Sequence, residues 1–459
     1  MSRDKSSPQS SALSPGSRLT TDDSQLRELV ASVLAEAKQQ GASSAEAAVN
    51  VSQGLAVNVR LGEVETIEHT RDRGLGVTVY FGRRTGSAST TDFGPAAVRD
   101  SVRAACAIAR HTAEDDCAGL ADPERLAKDV PDLDLCHPWR PGVEQAIEHA
   151  RACEDAARAT PRIANSEGAS LSTHEGLDVY ANTHGFVGAV AATRHSLSVS
   201  VIAQDGSGMQ RDYWYTVARD GAGLAPPEAV GKEAARRAAH RLGARKLSTR
   251  RCPVLYEAPV AASLLSHLVS AVRGTSLYRE ASFLLNHLGK QVFSDFVHVH
   301  EQPRLRGALG SAAFDGEGVA TAARDLVRGG VLLGYVLDSY SGRKLKLPTT
   351  GNAGGVHNLT LDPSGPEGLD GLLKQMGTGL LVTELIGFGV NTVTGDYSRG
   401  AAGFWVESGE IQYPVEEITI AGNLKDMYRA IAAAGSDVDT RGNIRTGSIL
   451  LGAMTVAGS

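Results

Sequence analysis

From Cys252 onward glycine punctuates almost every hydrophobic run, and this constrains the fold more than any other feature of the 459-residue chain. The β-branched runs at 254–256, 331–337, 380–385, 415–420 and 449–456 are short and end at glycine-containing corners. Glycine adopts the positive φ of tight turns without steric cost, so the pattern predicts a β-dominated C-terminal domain over residues 246–459.

Before Cys252 longer periodic segments appear. Asp22 and Asp23 can cap a helix whose stripe is Leu26, Leu29, Val30, Val33, Leu34 and Ala37, with Gly41 as its stop. Alternating runs follow at 47–51, 56–61, 64–69, 76–81 and 85–91, and a second amphipathic helix runs from Pro95 to about His111. Residues 112–141 carry Pro123, Pro131 and Pro138 and read as a long connection. Then come a helix over 143–160, a strand meander over 163–204 with a turn at Asn182 to Gly185, and a helix over 228–242. The expected fold class is α+β: a helix and antiparallel-sheet domain over 21–245, then the Gly-rich β-rich domain. The Ser/Pro-rich residues 1–20 read as a disordered tail, neither signal peptide nor membrane anchor.

Composition narrows the function classes. The net charge is −6, with Lys and Arg scattered, which argues against a nucleic-acid footprint. The basic stretch from Arg236 to Lys246 reads as a solvated helix face. Five cysteines (Cys106, Cys117, Cys136, Cys153 and Cys252) form no CxxC pair and are odd in number, a reduced, cytosolic pattern. No stretch is apolar enough to span a bilayer, so a cytoplasmic protein without membrane contact is expected.

The residues offer few hydrolytic constellations. His174-Glu175 lacks a second histidine at metal-ligand spacing and lies in a strand-like run, so it reads as an ordinary polar pair. His298 and His300 stand two apart, on one face of a strand, where they could bind metal with Glu301 or another carboxylate; an edge strand with Val inside and His outside fits the same alternation. Ser398 lies in a Gly-rich turn with no base assigned to it. Cys252 follows Arg250 and Arg251 but precedes a strand-like run, which favours a buried structural thiol.

Several runs together resemble the TldD/PmbA metallopeptidase family: GTSLYREASFLL at 274–285, LGKQVF at 288–293, FDGEG at 314–318, TTGNAG at 349–354, TGDYSRGAAGFWVESGE at 394–410 and PVEEITIAGNL at 414–424. The resemblance implies the PmbA (TldE) branch. In this family the TldD-type subunit carries His-Glu-x-x-x-His on a helix and a C-terminal Cys ligand, while the PmbA-like chain completes an enclosed chamber. Family members act on unfolded or leader peptides, take part in antitoxin turnover, and have been described as modulators of DNA gyrase. The helix matching the motif is AASLLSHLVSAVRG at 261–274, where the second ligand falls on Ser270 and the first on Leu265 or Ser266. His267 stands close to the general-base position, and no cysteine follows Cys252.

The resemblance therefore implies a chain with no catalytic residue and no metal ligand of its own. It would work beside a TldD-like partner that holds the zinc, on a peptide substrate. The glycine-rich segments then offer Thr350, Gly351, Asn352, Asp396, Tyr397, Ser398 and Arg399 as lining of a peptide channel or a subunit interface. Purely structural packing is the equal alternative for them. A regulatory protein that docks on other proteins without hydrolysis is the alternative function.

Overall fold

The computed structural model describes residues 22–458, so the expected tail at 1–20 lies outside the described residues. Its first half is one antiparallel sheet with helices on one face. α1 (Asp22–Gln39) leads into β1 (Ser44–Arg60), β2 (Glu63–Phe81) and β3 (Arg84–Thr90), then α2 (Pro95–His111). After the connection come α3 (Val143–Arg158), β4 (Ile163–Asn182), β5 (Val187–Asp205), β6 (Gly208–Ala218) and α4 (Pro227–His240). The strand order is β3-β2-β1-β4-β5-β6.

The helices form where one face can be buried. In α1, Leu26, Val30, Val33 and Ala37 recur every three or four residues and pack with α2 on Ala45, Ala47 and Val49 of β1. Further along the same face of β1, Leu55, Val57 and Val59 pack beneath α3 and α4. The other face carries Ser172 and Ser196, whose hydroxyls meet at 2.8 Å, and further along it Tyr180, Val190 and Ala192 pack against the connection after α2 and the second half of the chain.

Two sequence expectations change here. The runs at 47–51 and 56–61 are one strand, β1, and those at 64–69 and 76–81 are one strand, β2. The pattern falters at Gly54 because a Cβ there would lie 2.5 Å from the Thr173 carbonyl oxygen, not because the chain turns. The basic stretch after Arg236 is also not simply a solvated face: the Arg237 and Arg241 side chains are only 9% and 13% exposed.

The second half begins with β7 (Arg250–Tyr256), α5 (Ala258–Val272) and the short α6 (Gly274–Tyr278). A small sheet draws on β8 (Val299–Glu301), β9 (Arg324–Arg328) and β10 (Val331–Leu332). After α7 (Ser339–Leu345) come β11 (Leu359–Leu361), α8 (Leu369–Met376), β12 (Gly379–Ile386), β13 (Asp396–Glu407) and β14 (Glu410–Asn423). The chain ends in α9 (Leu424–Arg429), β15 (Ile431–Ala434), β16 (Ile444–Arg445) and β17 (Ile449–Ala457). The small sheet has the order β10-β9-β8-β11-β16. The larger one runs β14-β13-β12-β7-β17-β15, and β14 also pairs with β17 through Ile420 and Val456, closing a barrel.

The run at 331–337 is a strand only at Val331–Leu332. The glycine-rich segment around Ser398 is not a turn but strand β13. A Cβ at Gly403 would sit 1.8 Å from the Leu381 carbonyl oxygen, so this glycine lets β13 cross β12 closely instead of reversing the chain.

The irregular connection after α2 is pinned from the second half by α7. Tyr340 donates to Asp115 at 2.7 Å, Lys344 pairs with it at 3.0 Å, and Arg343 donates to the carbonyls of Cys117, Gly119 and Leu120. Cys252 is buried, and burial raises its thiol pKa, as a structural cysteine requires.

Candidate functional site

α5 has two unlike faces. Leu264, Leu265, Leu268, Ala271 and Val272 are buried in the barrel core. Ser263, Ser266 and Ser270 lie away from that core, Ser266 and Ser270 are exposed, and His267 lies at its edge. The three serine hydroxyls bond back into the helix, on Val260 O at 2.6 Å, Ala262 O at 3.1 Å and Ser266 O at 2.9 Å. Of the two residues at the first motif position, Leu265 therefore points into the core and Ser266 shares the exposed side with Ser270. A zinc site needs thiolate, imidazole or carboxylate donors, and this face supplies hydroxyls and one imidazole.

That imidazole, His267, packs edge-on against Tyr397 with ring centres 6.0 Å apart. Its pKa is lowered to about 4, first by burial and then by the Arg399 cation. It is neutral at pH 7, and its buried Nε2 has no hydrogen-bond partner. The residues at this position do not fit a zinc ion.

β13 alternates as a strand should. Tyr397 is 1% exposed and receives the Tyr256 hydroxyl at 3.4 Å. Two residues on, Arg399 is half-buried and its buried Nε has no partner. Arg399 lines a cavity of about 570 Å³ above the first turns of α5, whose Pro259, Val260 and Ser263 form the floor. The opposite wall is the β6 aromatic run Tyr213, Trp214 and Tyr215. Arg237 and Arg441 lie 5.0 Å and 4.2 Å from the Trp214 ring centre.

Ion pairs hold this wall in place. Arg237 donates to both Glu257 oxygens at 2.9 and 3.1 Å, joining α4 to the residue that opens α5. Arg241 pairs with Glu384 on β12, and Arg441 with Asp439 at 2.7 Å. The cavity thus gathers five guanidiniums (Arg211, Arg237, Arg241, Arg399 and Arg441) and three adjacent aromatic rings where the two halves of the chain meet. Of these only Arg399 was a sequence candidate. The others are spread from Arg211 to Arg441, and the consecutive Tyr213-Trp214-Tyr215 is the one local signal among them.

The remaining candidates sit elsewhere. Asp396 and Ser398 are exposed on the other face of β13 from Tyr397, and Asp396 accepts from Thr394 at 2.7 Å and Asn423 at 3.1 Å. Among the described residues no base is hydrogen-bonded to the Ser398 hydroxyl. Thr350, Gly351 and Asn352 lie next to the small sheet: Asn352 is buried, donates to Glu301 at 2.9 Å, and accepts from Arg324 at 2.9 Å and Thr350 at 2.7 Å. Gly351 has φ +71°, which favours glycine. Glu301 faces inward to this network, away from His298 and His300. His174 is exposed on β4 while its neighbour Glu175 is buried and paired with Arg140 at 2.9 Å. Among the described residues no helix is long and apolar enough to cross a membrane.

Known proteins share this architecture. Models of the PmbA/TldA metallopeptidase match in three successive parts: domain 1 at residues 45–109, the central domain at 136–242 and the C-terminal domain at 249–458. The chain is 51% identical to Metalloprotease PmbA of Escherichia coli O157:H7, over 93% of this chain and 94% of that protein. It is 24% identical to a Metalloprotease TldD homolog of Haemophilus influenzae, over 79% of each. A crystal structure from Bacteroides thetaiotaomicron, described as a candidate modulator of DNA gyrase, superposes with a TM-score of 0.90 at 28% identity, covering 95% of this chain and all of that one. TldE from Thermococcus kodakarensis shares the fold, with a TM-score of 0.80 at 19% identity, covering 94% of this chain and all of that one. The chain belongs to the PmbA/TldD metallopeptidase family, on its PmbA branch.

Proposed function

We propose that this chain is the substrate-enclosing, non-catalytic subunit of a cytoplasmic heteromeric zinc peptidase acting on unfolded and leader peptides. A TldD-like partner supplies the metal, the general base and the activated water. The observation that carries this reading is α5, where the motif positions of a metallopeptidase family hold Leu265, Ser266 and Ser270. The chain contributes walls. The guanidiniums of the α5 cavity suit main-chain carbonyls and carboxylates of a peptide, and Tyr213 to Tyr215 offer flat apolar surface that tolerates varied side chains. Arg399 carries the peptide contact on β13, with Tyr397 packed behind it. Asp396 and Ser398 face the partner. Thr350, Gly351 and Asn352 act as packing that holds the small sheet.

The test is a peptidase assay on an unfolded peptide with this chain alone, a TldD-like chain alone, and the two mixed. Cleavage by the mixture and none by this chain alone is expected. Chelator-sensitive cleavage by this chain alone would overturn the proposal.

The solved relatives described as candidate DNA gyrase modulators favour a second reading, a regulatory protein acting through protein contacts. The net charge of −6 disfavours direct contact with DNA. Affinity capture from extract separates the two: a TldD-like chain as the main partner supports the first, gyrase subunits support the second.

A further inference from the structure

On the outer face of the small sheet, His298 and His300 flank the fully buried Val299 and project together, with ring centres 4.8 Å apart. The neighbouring strands bring carboxylates to them. Asp362, just after β11, places one oxygen 2.7 Å from His298 Nδ1 and the other 2.9 Å from His300 Nε2. Its backbone N–H also donates to the His298 carbonyl at 3.1 Å, which fixes its position. From the other side Asp325 on β9 sits 2.7 Å from His298 Nε2, and Arg328 pairs with Asp325. One ligand atom from each of His298, His300 and Asp362 lies within 4.8 Å of the other two.

The geometry points to a divalent transition-metal site made of His298 Nδ1, His300 Nε2 and an Asp362 carboxylate oxygen, with Asp325 orienting the His298 ring. Two imidazoles and a carboxylate converging on one point are the donor set of zinc-class and cobalt-class ions. Asp325 supplies the second-shell partner on the other ring nitrogen that metal-bound histidines almost always have. Here one carboxylate spans both rings and a second grips the far side of one of them. A dication bound in place of the shared protons would replace the hydrogen bonds between Asp362 and the two rings with metal bonds and offset the Asp362 charge, while Asp325 keeps its contact with His298 Nε2. The side chains are 29%, 14% and 44% exposed for His298, His300 and Asp362, so an ion and its remaining waters have access. The site lies on a different sheet from β12 and β13, and it stands or falls independently of the peptidase-subunit reading.

The test is titration of Zn2+ and Co2+ into the chelator-treated full chain, followed by calorimetry and by the visible spectrum of the cobalt form. One equivalent is expected in the wild type, with a metal-dependent rise in melting temperature. Both should be lost in Asp362→Asn and in His300→Ala, and affinity should fall roughly ten- to hundredfold in Asp325→Asn. Asp362→Asn retains shape and hydrogen-bonding capacity, so it separates loss of a ligand from loss of fold. His267→Ala should leave binding unchanged. No binding by the wild type, equal binding in Asp362→Asn and His300→Ala, or loss of binding in His267→Ala would each overturn the assignment.

Discussion

Replacing Glu317 by Gln should flatten the pH dependence of stability above pH 4.5. Glu317 lies in the FDGEG run between β8 and β9, and its carboxylate accepts from the backbone N–H of Ser339, at the start of α7, at 2.9 Å. Burial raises its pKa from the ordinary 4.5 to about 7, with the Asp315 and Asp338 charges adding to the shift and the Ser339 contacts opposing it. Because the folded state holds this proton more tightly than the unfolded chain, the contribution is fully favourable below pH 4.5 and is lost as pH rises to 7. At ~1.4 kcal/mol per pKa unit the loss reaches ~3 kcal/mol and is flat above pH 7. Gln keeps the carbonyl oxygen that accepts from Ser339 and removes the charge. Urea unfolding of both proteins at pH 5, 6, 7 and 8 should therefore show Glu317→Gln gaining on the wild type up to about pH 7 and then running parallel. A constant offset across that range would refute the argument, because the wild-type carboxyl would then titrate as it does in the unfolded chain.

The other predictions follow the cavity and the barrel. Arg237→Ala leaves the largely buried Glu257 carboxylate without its cation, while Asp212 keeps Arg241 at 3.6 Å, and should cost ~3 kcal/mol in chemical denaturation, whereas Glu257→Gln in that background should recover part of the loss. Gly403→Ala forces a methyl group against the Leu381 carbonyl and should cost at least ~1–3 kcal/mol, visible as a lowered melting temperature; an unchanged melt would mean that β13 and β12 are not so closely apposed. Arg399→Ala should raise the KM of the two-chain peptidase roughly ten- to hundredfold, the worth of one charge-assisted hydrogen bond, with an unchanged melting curve. An unchanged KM would remove Arg399 from the peptide path.

What the sequence revealed depended on where the organising contact lay. α1, α2, α3 and α4 were readable because each buries one stripe on one sheet, so periodicity is a local record of a tertiary fact. Strand ends were less readable. Gly54 and Gly403 resemble breaks when only neighbours along the chain are considered, yet each is needed because a carbonyl of the adjacent strand lies where a Cβ would go. His298 and His300 were visible as a same-face pair, but their carboxylates lie 64 and 27 residues away in the chain. The cavity was least readable of all. Its cations come from β6, α4 and the residue after it, β13 and the segment before β16, and Arg237 and Arg241 read as solvent-facing charge until the two halves of the chain are brought together.

On the proposed function, the two faces of α5 explain how a peptidase scaffold would persist without its chemistry. The inward face, from Leu264 to Val272, belongs to the barrel core, and any change there creates a cavity or buries a polar group. At Ser266 and Ser270 the outward face carries no packing obligation of that kind. Serines there satisfy their hydroxyls on the helix itself, so Ser266 and Ser270 need neither metal nor partner to be stable. Ligands on such a face can be lost while the fold is kept, provided another chain supplies the reacting groups. The cavity walls are under the opposite constraint: Arg237, Glu257, Arg241 and Glu384 are buried or half-buried charges that stabilise only as complete pairs. Their number and their mutual pairing are what a chain would retain if its task were to hold peptide while another subunit cuts it.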